Sequence, residues 1–188
     1  MSTCYRVIVL GIGEVGKTAL LKRYIGEEFP LSYIHTIEDT YSTNVPYEHF
    51  MYKLDIIDTD GKGEENLTRS MYYTQGHSFI IVYDITSRES FLRVKKTYQC
   101  IRTARRMDDS MSLPVVIVAN KSDLSQHRVV QMGEGEILAR ALKASYIETS
   151  AKYNINVDEV FTTLITEIRD QTKILVKKSK KKSSCSCM

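Results

Sequence analysis

The sequence predicts an α/β domain built on a mostly parallel sheet, and three observations carry that expectation. Short apolar, β-branched runs alternate with segments of helical spacing, the pattern of βαβ units. The chain has 188 residues and 43% apolar content, enough for one buried core and too little for two. The first strand-like run ends in a glycine-rich turn, GIGEVGKT at 11–18, that opens straight into a helical pattern.

The elements follow in order. YRVIVLG (5–11) is a short β-branched run ending in glycine, a buried strand, and KTALLKRYIG (17–26) is a helix closed by a glycine. DTYSTNVPY and HFMYKLDIID form a hairpin pair over about 39–58, and SFIIVYDI (78–85) is another buried strand. ESFLRVKKTYQCIRTARRM (89–107) is an amphipathic helix, LPVVIVANKSD (113–123) a strand and loop, GEILARALK (135–143) a helix and ASYIETS (144–150) a strand and loop. The last helix is marked by Val157, Val160, Phe161, Leu164, Ile165 and Ile168, one apolar stripe. Asn156 is placed to cap it, with Glu159 three residues on.

Charge divides the chain in two. Net charge is +3, yet residues 173–188 hold six lysines and no acid, leaving 20 basic against 23 acidic residues in the body. The body therefore gives no sign of binding nucleic acid. We expect a domain over 1–172 and a disordered polybasic tail over 173–188. No apolar run approaches membrane-spanning length. Cys4 and Cys100 are isolated and Cys185 and Cys187 crowd the last residues, so the cysteines suggest a reducing compartment rather than a disulfide framework.

The turn at 11–18 is a phosphate loop in full, Gly11, four residues, Gly16, Lys17 and Thr18. Glycines let successive N–H groups turn inward around phosphate oxygens, and the helix that follows adds its positive end. Lys17 reaches the β- and γ-phosphates, and Thr18 offers a hydroxyl to Mg²⁺. The base is set by NKSD, where Asn120, Lys121 and Asp123 follow the strand VVIVA, the strand end at which such sheets bind ligands. A carboxylate at Asp123 can accept from both N1–H and the 2-amino group of guanine, which adenine lacks. ETSAK (148–152) can present the Ala151 N–H to guanine O6.

With these motifs in that order, residues 5–172 resemble a Ras-superfamily small GTPase; YIHTIEDTY (33–41) is similar to switch I of its Ras and Rap branch, and DTDGKGEE (58–65) stands at the switch II position. The resemblance implies a P-loop NTPase fold, a six-stranded mostly parallel sheet flanked by five helices, that binds GTP or GDP with Mg²⁺. It implies phosphate contacts from Gly11, Gly13, Glu14, Val15, Gly16, Lys17, Thr18 and Ala19, and base contacts from Asn120, Lys121, Asp123, Ser150, Ala151 and Lys152. Phe29 would pack on the guanine and Tyr33 would close over the phosphates. Thr18 and Thr36 would coordinate the metal, with Asp58 acting through a bound water, and the Thr36 and Gly61 N–H groups would meet the γ-phosphate. The catalytic set is then Thr36, Gly61 and residue 62.

Residue 62 departs from the family pattern, in which a glutamine orients the attacking water. Here it is Lys62. A glutamine amide both accepts and donates; an ammonium has only donors. We therefore expect a GTPase with slow intrinsic hydrolysis. The rival is a module that holds GTP, hydrolyses it negligibly and is controlled by exchange or localisation; an ATPase or kinase is disfavoured by Asp123. His35 in place of a proline should loosen switch I, and 102–112 reads as a surface insertion. Partners implied are effectors through Thr36–Tyr41, an exchange factor and a GTPase-activating protein. Cys185-Ser186-Cys187-Met188 fits a prenylation signal. With Lys177–Lys182 as a second signal for an anionic membrane, it predicts a lipid anchor on the cytoplasmic face of the plasma membrane.

Overall fold

The computed structural model describes residues 4–29, 38–61, 67–108 and 111–183, with 38, 67–69 and 174–183 described by their backbone alone. The strands are β1 (Cys4–Leu10), β2 (Glu38–Tyr47), β3 (Phe50–Thr59), β4 (Ser78–Asp84), β5 (Val115–Asn120) and β6 (Ser145–Glu148). The helices are α1 (Lys17–Tyr24), α2 (Leu67–Gln75), α3 (Arg88–Ala104), α4 (Met132–Leu142) and α5 (Val157–Ser183), with a 3₁₀ turn over Ser122–His127. The sheet is six-stranded in the order β2-β3-β1-β4-β5-β6. Among the described strands only β2 is antiparallel, pairing with β3 through Thr40 opposite Ile57 and Tyr47 opposite Phe50.

Alternation along the strands explains why β1 and β4 read as unbroken apolar runs. Val7 and Val9 face one core with Ile80, Val82, Phe161 and Leu164, while Ile8 and Leu10 face the other with Phe79, Ile81, Val94 and Ile101. Helices cover both faces, so successive residues of a central strand are buried alternately on each side. The six apolar residues of the α5 stripe are all buried, and Phe161 stacks on Tyr24 at a ring separation of 3.5 Å. That places α5 against α1 on the first face.

Four features differ from the sequence reading. Helix α3 stops at Ala104, because Arg106 turns to φ 51° and the Met107 and Arg106 N–H groups close back on the Arg102 and Thr103 carbonyls, a Schellman ending. Helix α2 lies where the sequence reading placed no element; among its described side chains, Tyr73 is buried in the second core. Asn156 does not cap α5 with its amide: it sits at φ 55° and its Nδ2 donates to the Glu148 carbonyl at 2.9 Å. Finally, α5 keeps a helical backbone to Ser183, past the boundary expected at 172, since extending a formed helix adds one bond for each residue ordered. Within the loop at 102–112, Arg102 donates to the Asp108 carbonyl at 2.6 Å and the Met111 carbonyl at 3.2 Å.

Candidate nucleotide site

The carboxyl ends of β1 and β5 carry the two loops that matter. The first loop runs from Gly11 into α1, whose first turn holds no acidic residue and no capping side chain, so its amides face the loop's hollow. Gly16 stands at φ 92°, and a Cβ there would lie 2.4 Å from Asn120 Nδ2, so only glycine fits. Lys17 is buried, its ammonium donating to the Gly11 and Ile12 carbonyls at 3.1 Å each. Glu14 is exposed at φ 66°, Val15 is buried, and Gly13 and Ala19 are half-buried.

The end of β3 reaches the same place. The Thr18 hydroxyl donates to Asp58 Oδ2 at 2.6 Å. Asp58 is fully buried, and its Oδ1 has no hydrogen-bond partner among the described residues. Burial holds this carboxyl above its usual range, while the Thr18 hydroxyl and Lys17 ammonium draw it back. A buried, half-satisfied carboxylate beside a threonine hydroxyl is a hard-oxygen setting that suits Mg²⁺, which binds through one or two protein oxygens and keeps other ligands from phosphate and water. No cluster of three or more metal-binding His, Cys, Asp or Glu side chains forms among the described residues. Just beyond, Gly61 lies so close to the first loop that a Cβ on it would come within 2.3 Å of Gly13 N and Cα.

The second loop is held together by one amide. Asn120 Nδ2 donates to the Val15 carbonyl at 2.9 Å. Its Oδ1 accepts from Thr149 Oγ1 at 3.1 Å and from the Ala151 N–H at 3.3 Å. Ser150 donates its hydroxyl to Asp123 Oδ1 at 2.6 Å, fixing the carboxylate while leaving it acceptor capacity. Arg23 of α1 grips the loop that follows β6 through the Ala151 and Lys152 carbonyls at 3.3 and 3.0 Å. Lys121 adopts φ 65°, and its ammonium pairs with Asp84 Oδ2 at 2.7 Å. Asp84 Oδ1 in turn accepts from the Thr86 N–H and hydroxyl, both at 2.7 Å. Phe29 is half-buried against the α1–α5 core.

Of the residues expected from sequence, the structure therefore gathers the loop at 11–19, Asp58, Gly61, Asn120, Lys121, Asp123 and 150–152 at one edge of the sheet. Tyr33, Thr36 and Lys62 lie outside the described residues. Asp84 and Arg23 belong to this edge and carry no local motif; their partners are in other loops, so only the fold reveals them.

A sheet edge that offers amides to phosphates at one end and a fixed carboxylate to a base at the other defines a nucleotide-binding α/β protein. The model of the Ras family matches residues 6–170. GTP-binding protein Rit1 of Mus musculus is 43% identical over 188 residues, 98% of this chain and 84% of the relative. Ras-like protein 1 of Saccharomyces cerevisiae is 43% identical over 166 residues, 88% and 53% of the two chains. GTP-binding protein Di-Ras2 of Mus musculus is 42% identical over 164 residues, 87% and 81%. The chain belongs to the Ras family, as a GTP-binding switch that hydrolyses GTP to GDP.

Proposed function

We propose that this switch hydrolyses GTP slowly on its own, engages effectors through Thr36–Tyr41 while GTP is bound, and is reset with help from a GTPase-activating protein and an exchange factor. The observation that carries the slow rate is the contact of Gly61 with Gly13. It brings the chain against the phosphate loop immediately before residue 62, and residue 62 is Lys62. A lysine ammonium has donors only, so it can supply positive charge but no acceptor with which to orient an attacking water. Charge that stabilises bound GTP and the transition state alike does not accelerate the step.

The supporting roles follow from the site. Lys17 and the α1 amides hold the β- and γ-phosphates, and Asp123 accepts from the guanine edge. Thr18 and, as the resemblance implies, Thr36 would hold Mg²⁺, with Asp58 acting through a bound water, and the ion would supply positive charge to the phosphates. β2 is the outer strand of the sheet, and Asp39 and Thr40 are exposed, which supports partner binding by strand addition along this edge. Prenylated Cys185 together with Lys177–Lys182 would hold the chain on the cytoplasmic face of the plasma membrane.

Single-turnover hydrolysis by the natural chain and by Lys62→Gln tests the reading. We expect the variant to be faster by about tenfold, roughly 1.4 kcal/mol of barrier. A natural rate equal to or above the variant's overturns it. No turnover in the natural chain, even with activating protein, selects the second reading: a GTP-holding module controlled by exchange or localisation.

A further inference from the structure

The turn of the β2–β3 hairpin lies at the amino end of β3, and β3 runs parallel to β1. The tip is therefore at the pole opposite the nucleotide loops, which leave the carboxyl ends of the strands. Phe50 and Met51 stand at this tip with 67% and 57% of their surfaces exposed. Register pairs Tyr47 with Phe50 and Pro46 with Met51. Because side chains alternate, Tyr47 and Phe50 lie on the ribbon face that packs toward α5, and Pro46 and Met51 on the other. The ribbon end is apolar on both faces.

The tip is also fastened to α5. The Tyr47 and Thr166 hydroxyls are 2.9 Å apart, the Arg169 guanidinium lies 5.3 Å from the Tyr47 ring centre, and Arg169 pairs with Glu48. Around it, Lys53, His49 and Lys173 are exposed, while the acids Glu48 and Asp170 are engaged by Arg169 and Lys173. From this pole α5 leads the chain toward Lys177–Lys182 and Cys185.

We propose that the hairpin tip is a second membrane contact, in which Phe50 and Met51 enter the interface of an anionic lipid surface. This rests on the membrane reading given above. A protein partner covers one face or one edge of a ribbon, whereas a ribbon end that is apolar on both faces, with Lys53 exposed beside it and its acids paired, suits a medium that surrounds it. The lysine-rich chain leaving the same pole supplies the charge complement.

The chain contains no tryptophan, so Phe50→Trp gives a single reporter. The full-length, farnesylated, GDP-loaded chain is mixed with phosphatidylcholine–phosphatidylserine vesicles, with or without brominated acyl chains. We expect a blue shift of the indole and quenching by bromine. In the parent background, Phe50→Ser with Met51→Ser lowers vesicle partitioning about tenfold, at unchanged GDP affinity. A reporter chain that sediments with vesicles while its indole stays in water overturns the proposal, leaves the membrane reading standing and assigns the tip to a protein partner. A parent chain that does not associate with vesicles at all overturns both.

Discussion

Lys121 shows how a residue at the site depends on one that no motif names. Its backbone is in the left-handed region and its ammonium is tethered to Asp84, itself nearly buried and clasped by Thr86. Asp84→Ala removes the tether, so Lys121 must be ordered by the nucleotide alone. We expect GDP to dissociate about five- to tenfold faster, read from release of a fluorescent GDP, with hydrolysis per bound GTP little changed. The phosphate loop was legible because its chemistry is consecutive in the chain, from Gly11 to Thr18. Asp123 was legible because its motif includes Asn120 and Lys121. Asp84 was not, since nothing near it in sequence tells that Lys121 stands opposite. The ETSAK segment pointed to the Ala151 N–H for guanine, and the structure has it on Asn120 Oδ1 at 3.3 Å, a long bond for which a guanine carbonyl can compete.

At the scale of elements, α2 is joined to the sheet by a histidine. The His77 N–H donates to the Arg6 carbonyl and the Arg6 N–H to His77 Nδ1, both at 2.8 Å. Arg6 also reaches Gln75 at 2.9 Å, and Arg105 of the α3 end holds the Gly76 carbonyl. Partial desolvation first, then the Arg6 and Arg105 charges, hold His77 below its ordinary value of 6.5 although the residue stays exposed. The folded chain thus resists a proton that the unfolded chain accepts. The stability from this joint is complete above about pH 6.5 and declines as pH falls below it. Urea midpoints at about pH 7.5 and about pH 5.5 should differ in the natural chain and converge in His77→Asn, which keeps an acceptor and does not titrate. The α5 stripe was readable because six apolar residues repeat at helical spacing. Helix α2 was not, because its place is set by this joint and by Tyr73.

The whole molecule is polar in the directional sense: loops for nucleotide at one end, hairpin tip and α5 exit at the other. Its α/β class followed from alternating patterns, and the two-sided burial of β1 and β4 from their unbroken apolar runs. The position of β2 outside β3 could not come from periodicity, which fixes faces and not neighbours. Net charge told the same story of division, with the basic excess confined to 173–188, the last turns of α5 and the residues after it. Cys185→Ser should move the chain from the membrane to the soluble fraction on cell fractionation. A lysine cluster by itself binds an anionic surface only reversibly, so full retention counts against the proposed anchor.

Asn120 gives the nucleotide end a mechanical character. One short amide spans three loops that come from distant parts of the chain, so the jaw for the phosphates and the jaw for the base are held at a set width, as in a locked caliper. Pyrophosphate or guanosine alone would occupy one jaw and leave the other idle, and neither gains the chelate advantage that the intact nucleotide draws from being gripped at both ends at once.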